Sequence, residues 1–260
     1  MGTLNGSWIW YEIVTPDPDG AKAFYDAVVG WNIMPTHADN PDYGFIVNAD
    51  GGMTGGLLRL SKDMTDAGMR PMWLGYIGVD DVDAAVVAIE AKGGKTWMPA
   101  RDIEMAGRVA LVSDPSGAPF YVMTPTPPPG GGESTAFSET LMGRCSWNEL
   151  VSGDLDNALE FYTSLFGWGL PEPMDMGPMG QYHFITHDAV QVGALMKKPD
   201  EMPFPAWNHY FRVQSIDAAI VAVQANGGTV MMGPMEVPGD DLIMMGTDPQ
   251  GAAFALVGAK

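Results

Sequence analysis

The 260-residue chain has one cysteine, Cys145, and only 13 Lys and Arg against 32 Asp and Glu. A single thiol excludes an internal disulfide and a CxxC redox pair, and it fits a reducing compartment. The formal charge of -19 creates a field that repels nucleic acid and anionic membranes, with no Lys/Arg cluster to offset it locally. No uninterrupted apolar run is long enough to cross a bilayer, and no basic n-region leads into an apolar h-region. A Walker motif and a strand-preceded GxGxxG are also missing, which argues against phosphate-rich ligands. The expectation is a cytoplasmic protein, monomer or homodimer, with a small-molecule ligand and neither nucleic-acid nor membrane partners.

What the chain does contain is repetition. From Trp10 to Trp31, ten of 22 positions are identical to residues 147–168, at a shift of 137. "PMWLGYIGVDDVDAAVVAIEAKGG" (71–94) matches "PAWNHYFRVQSIDAAIVAVQANGG" (205–228) at a shift of 134, and "SDPSGAPFYV" (113–122) matches "TDPQGAAFAL" (247–256) at the same shift. The order is preserved, so a whole domain is duplicated. "MTPTPPPGGGEST" (123–135) cannot continue a helix or a central strand, and separates the copies. The boundaries read as a first domain at 1–124, a Pro/Gly-rich linker at 125–140 and a second domain at 141–260.

Each copy divides again. "WIWYEIV" alternates as a strand should. Asp17-Pro18 is a good N-cap followed by Pro at the first helical position, and Gly30 stops the helix. Strands are expected near 43–48 and 55–60. A second round begins with a strand at 73–79 and a helix near 82–92, followed by strands near 95–98, 108–112 and 118–123. Strand, helix, then two or three strands recur four times in the chain.

These modules, the "AFY…GW" helix end and the "DPxG" strand resemble the vicinal oxygen chelate superfamily of glyoxalase I, bleomycin-resistance proteins and extradiol dioxygenases. The resemblance covers nearly the whole chain and is closest to two-domain glyoxalase-like members. It implies an α+β fold of two tandem domains, each of two β-α-β-β-β modules whose curved mixed sheets surround a cup. Metal-using members place a ligand, commonly His, on the first strand at a fixed spacing before the Asp that opens the helix. Here those positions are Trp10 and Trp147, with Leu74 and Asn208 near the matching sites of the other modules. The closing Glu of the family falls on Tyr121 and Ala255. Iron, zinc or nickel would want His and carboxylate together. The resemblance therefore implies no metal site of the family type, and no cofactor is expected.

Glu12 and Glu149 each lie two residues beyond the Trp of their strand and so share its face. A carboxylate on an aromatic wall can act as a general acid or base, or can simply be tied into a hydrogen-bond network. "WNHYF" (207–211) puts Trp207, His209 and Phe211 on one face, with Asn208 and Tyr210 on the other. His209 is the best single titratable candidate, because imidazole exchanges a proton near neutral pH. The candidate catalytic residues are thus Glu12, Glu149 and His209. Trp10, Phe45, Trp73, Tyr121, Trp147, Tyr182, Asn208 and Tyr210 are the candidate lining for a planar or apolar ligand.

The functional expectation is a glyoxalase-like protein that binds or acts on a small aromatic or apolar organic molecule. It would do so as a lyase or isomerase, using Glu or His in place of a metal. The alternative is a non-catalytic binding or sequestration protein resembling bleomycin-resistance proteins.

Overall fold

The computed structural model describes residues 4–37, 40–127 and 132–260. Residues 128–131 of the Pro/Gly-rich linker lie outside the described residues. The first copy supplies β1 (Trp8–Thr15), α1 (Pro18–Val29), β2 (Asn32–His37), β3 (Asn40–Val47), β4 (Met53–Arg59) and a short α2 (Lys62–Asp66). It continues through β5 (Met72–Gly78), α3 (Val82–Ala91), β6 (Lys95–Ile103), β7 (Gly107–Ser113) and β8 (Pro119–Pro125). The second copy supplies β9 (Cys145–Ser152), α4 (Leu155–Phe166), β10 (Met174–Asp175), β11 (Gln181–His187) and β12 (Val190–Lys197). Its last elements are β13 (Ala206–Val213), α5 (Ile216–Ala225), β14 (Thr229–Glu236), β15 (Leu242–Thr247) and β16 (Ala253–Gly258).

The strands form two mixed eight-stranded sheets, in the orders β2-β3-β4-β1-β5-β8-β7-β6 and β10-β11-β12-β9-β13-β16-β15-β14. The fourfold β-α-β-β-β rhythm is therefore present, and α2 is an addition that the pattern did not foresee. It starts at Ser61, whose hydroxyl accepts from the Met64 N–H. The longer helices begin as their sequences require. The Asp17, Asp81 and Asp154 carboxylates and the Ser215 hydroxyl each accept from an N–H of the first turn. Helices α1 and α4 stop at Gly30 and Gly167, which take the left-handed conformation that a Cβ disfavours.

By contacts the chain separates into two compact units, and neither coincides with one sequence copy. One comprises Met1–Ile9, Gly75–Ser134 and Trp147–Trp207; the other comprises Trp10–Leu74, Thr135–Ser146 and Asn208–Lys260. Each thus draws modules from both copies. In the first unit α3 packs beside α4, and in the second α1 packs beside α5.

The repeated motifs explain this composition. In the second unit the Trp73 indole N–H donates to Tyr25 Oη at 2.9 Å, and Tyr25 donates to the Asp248 carboxylate at 3.1 Å. In the first unit Trp207 donates to Tyr162 at 3.0 Å, and Tyr162 donates to Asp114 at 3.4 Å. The Tyr of "FY" and the Asp of "DPxG" are therefore partners, each pair joining a helix of one copy to a turn of the other. The Trp closing "GW" is equally structural: Trp31 donates to the Gly143 carbonyl and Trp168 to the Gly6 carbonyl, both at 2.8 Å. Around these bonds sit aromatic clusters, with Trp8, Phe120 and Phe166 in one unit and Phe24, Phe211 and Phe254 in the other. Burial of each such ring contributes about 1.5–3 kcal/mol.

Candidate functional site

The Trp-x-Glu strands build two matched constellations, one in each unit. On β1, Tyr11 and Ile13 turn into the core of the second unit, with the Tyr11 ring edge-on to His209 and Phe211. Strand alternation then sends Trp10 and Glu12 to the opposite face. Glu12 is the Cα partner of Gly56 on β4, which is the partner of Phe45 on β3. The Trp10 indole N–H donates to Tyr43 Oη at 3.2 Å, and the Trp10 and Phe45 rings meet edge to face at 6.2 Å.

The first unit repeats the arrangement. Glu149 on β9 partners Ala194 on β12, which partners Phe184 on β11. Trp147 donates to Tyr182 Oη at 2.8 Å, and Trp147 and Phe184 meet edge to face at 6.1 Å. The Tyr182 hydroxyl then donates to Glu149 Oε2 at 2.9 Å. Burial, and next the negative charge of Glu149, push the Tyr182 phenol well above its ordinary value. The phenol therefore keeps its proton and remains a donor to the carboxylate. The two constellations differ in access: Glu12 is 2% exposed, whereas Glu149 is half-buried.

The other sequence candidates fall elsewhere. Trp73 belongs to the aromatic core, tied to Tyr25 and packed on Phe211, so it does not line a wall. His209 is also a core residue, 2% exposed, and desolvation lowers its pKa to about 3. That imidazole is neutral across the ordinary pH range, contrary to the expected exchange near neutrality. Tyr121 is buried and stacks on Tyr76. Tyr210 is buried with its hydroxyl on Met245 Sδ at 3.7 Å, and Asn208, on the same strand, is also buried. Sequence reasoning passed over Tyr43 and Phe184. Both were discoverable, because Tyr43 and Phe45 recur as Tyr182 and Phe184 at a shift of 139.

Apart from Asn208, whose amide oxygen is at most a weak ligand atom, the side chains at the superfamily's metal positions do not fit a divalent ion. Trp10 and Trp147 present N–H donors that are already given to phenols, and Ala255 has no donor atom. Leu74 is a buried hydrocarbon, and Tyr121 is committed to its stack. Among the described residues no group of three or more His, Cys, Asp or Glu could hold a metal. None of the helices among the described residues is long and apolar enough to cross a membrane.

Two eight-stranded mixed sheets of β-α-β-β-β modules, with aromatic and carboxylate groups on the first strands, define a tandem vicinal oxygen chelate protein. The model of the Glyoxalase/Bleomycin resistance protein/Dioxygenase superfamily matches residues 9–122 and 143–256, and the chain belongs to that superfamily. CFP32 of Mycobacterium tuberculosis, named provisionally as a glyoxylase, is 32% identical over 267 residues, covering 99% of this chain and 95% of the relative. The anthracycline biosynthesis protein DauV of a Streptomyces species is 28% identical over 269 residues, covering 97% and 93%. Among solved structures, the Mn(II)-bound glyoxalase of Novosphingobium aromaticivorans aligns with a TM-score of 0.66 at 18% identity, covering 98% of this chain and 82% of that one. The 2,2',3-trihydroxybiphenyl 1,2-dioxygenase of Sphingomonas wittichii aligns with a TM-score of 0.67 at 13% identity, covering 98% and 90%. At these identities the structural likeness speaks for the fold alone.

Proposed function

We propose that the chain acts on a small planar aromatic or apolar organic molecule by metal-free proton transfer, with Glu149 as the general base. The observation that carries this reading is the Trp147–Tyr182–Glu149 relay, with a half-buried carboxylate at its end. Trp147 and Phe184 offer aromatic surface to a ligand. Tyr182 orients Glu149 by donating its hydroxyl to Oε2. The carboxylate takes a proton from a C–H beside a carbonyl of the ligand, and the electron pair of that bond passes to the carbonyl oxygen as an enolate. Returning that proton to another atom completes an isomerisation, and loss of a leaving group completes a lyase reaction. Glu12 has the same strand position but little access, so it contributes to structure more than to chemistry. Relatives named for glyoxylase activity and for anthracycline biosynthesis agree with a small organic ligand.

The test is deuterium uptake from D₂O into planar aromatic ketones and quinones, followed by NMR, beside calorimetric binding. Glu149→Gln slows exchange by about 100-fold or more while ligand still binds, and Trp147→Ala weakens binding itself. Equal exchange by wild type and Glu149→Gln refutes the catalytic role. Binding with no exchange at all leaves a sequestration protein. Near-stoichiometric iron, zinc, nickel or manganese in active protein refutes the metal-free part.

A further inference from the structure

Three methionines fall within six residues of the second copy, in Met174-Asp175-Met176-Gly177-Pro178-Met179. At the shift of 139 that pairs Tyr182 with Tyr43, their counterparts are Pro35, His37 and Asn40, so the first copy lacks the set. The segment is the turn that joins β10 to β11. Met174 is the Cα partner of Tyr182, and Asp175 that of Gln181. Beyond them the Met176 N–H donates to the Gly180 carbonyl at 2.9 Å, and Gly177–Met179 forms a single 3₁₀ turn. Asp175 Oδ1 accepts from the Gly177 N–H at 2.9 Å, which pins the corner. This backbone decides where the side chains leave it. Met174 and Met176 are two apart at the end of a strand and so share a side. Met176 and Met179 are three apart across a 3₁₀ turn, in which side chains at that spacing eclipse. The three thioethers therefore leave from one side of the turn, and Asp175 alternates to the other. Met174 and Met176 are half-buried and Met179 is 56% exposed, so that side is open to solvent.

We propose that Met174, Met176 and Met179 form a three-thioether site for Cu(I). A thioether is a soft, neutral ligand that suits a soft monovalent cation, whereas Mg, Ca and Mn want oxygen. Neutral ligands leave the ion its positive charge, and the field of a chain carrying -19 favours a cation. Methionine is unbranched and flexible, so three sulfurs on one side of a pinned turn can close round one ion without moving the backbone. None of the three stands at a position of the superfamily's metal, and the site goes beyond the proton-transfer reading without resting on it. The tetrapeptide Met-Gly-Pro-Met recurs at 232–235, but there it lies on strand β14. Three residues of extended chain span about 10 Å, which holds those two sulfurs apart and makes the second occurrence a control. Cys145, the one thiol, is fully buried and does not compete.

The experiment titrates the full chain, labelled at its methionine methyl groups, with Cu(I) supplied as its acetonitrile complex under nitrogen. Single Met→Leu variants at 174, 176, 179, 232 and 235 assign the methyl NMR signals by their loss. In wild type the Met174, Met176 and Met179 methyls shift together and saturate together, before those of Met232 and Met235. Met174→Leu, Met176→Leu and Met179→Leu each weaken binding by at least about tenfold, since loss even of a group that only supports a ligand costs a metal site that much. Leucine keeps the size and apolar character of these half-buried or exposed positions, and the remaining methyl signals report that the fold is kept. Zn(II) at the same concentration leaves the three methyls in place, because thioethers are too soft to hold it without thiolate or imidazole. Three methyls that stay put in excess Cu(I), an equal response to Zn(II), or earlier saturation at Met232 and Met235 overturns the inference. So does full Cu(I) affinity in the variant with all three residues changed to Leu.

Discussion

An indole that donates to a phenol, which in turn donates to a carboxylate, occurs in two kinds of place in this molecule. Trp73–Tyr25–Asp248 and Trp207–Tyr162–Asp114 lie inside the units, with both phenols fully buried. Their carboxylates also receive backbone N–H groups, from Ala252 at 2.8 Å and Ala118 at 2.9 Å. Trp147–Tyr182–Glu149 uses the same three chemical groups, but its carboxylate is half-buried on an aromatic wall. The comparison separates a clamp from a candidate site by access, because residue types and bonding order are shared. A buried trio whose every member is satisfied fixes the fold. A trio with an open end can pass a proton to something else.

The sharpest way to break this distinction is to remove the central hydroxyl from each trio. Tyr25→Phe or Tyr162→Phe leaves a buried indole N–H and a buried carboxylate without the phenol between them. Each should lower stability by about 2–3 kcal/mol, in the range for hydrogen bonds to charged groups and for orphaned buried donors. Tyr182→Phe acts where water can replace the lost partner, and should cost no more than about 1 kcal/mol. Urea unfolding of the three variants measures the difference. Equal losses would mean that Glu149 stands in a third clamp.

A smaller effect separates the clamps by pH. Burial, opposed by backbone and tyrosine hydrogen bonds, raises the Asp114 and Asp248 carboxyls above the ordinary value of 3.8. Folded values above the unfolded one mean that the folded chain holds these protons more tightly. The stability they contribute is complete below the ordinary carboxylate value and is lost as pH rises through the folded values. Asp114→Asn and Asp248→Asn cannot ionise and so escape this loss. Whatever their absolute stability, their unfolding free energies should gain on wild type as pH climbs from about 4. Parallel pH profiles would show that folding does not raise the two carboxyls.

Much of the fold was legible because the repeated motifs are fold-bearing. Asp17-Pro18, Gly30 and the DPxG turns occupy the caps and turns that their chemistry indicates. The grouping into units was not legible, because Tyr25 finds Asp248 at a separation of 223 residues and no local signal announces the pair. Strand parity correctly set His209 and Phe211 on one face, and both lie against Tyr11. Parity does not say which face is the core, so an imidazole in the interior read as a titrating group. The same ambiguity affected Trp73. Within the candidate site, Trp10, Glu12, Trp147 and Glu149 could be placed by alternation alone. Their link to Tyr182 depends on a phenol passing over an intervening strand, which only the three-strand register reveals.

That passage yields the finest comparison between the two constellations. Tyr43 crosses the position of Gly56 so closely that a Cβ there would lie 2.0 Å from its hydroxyl oxygen. Tyr182 makes the equivalent crossing over Ala194, which carries that Cβ, and still holds Trp147 at 2.8 Å against 3.2 Å for Trp10 and Tyr43. The atoms displaced by Gly56→Ala are the outer end of the Tyr43 side chain, not backbone, and the second copy shows where they can go. Gly56→Ala should therefore move Tyr43 toward the placement of Tyr182 and keep the Trp10 hydrogen bond. The change in stability should be under about 1 kcal/mol, because lower chain entropy in the unfolded state offsets the repacking. The Trp10 indole N–H resonance should shift toward that of Trp147, as expected for a shorter bond. Loss of that resonance's protection from solvent exchange, or destabilisation well beyond this range, would mean that the glycine is required for the geometry of the first copy. The two constellations would then be alike in composition but not in construction.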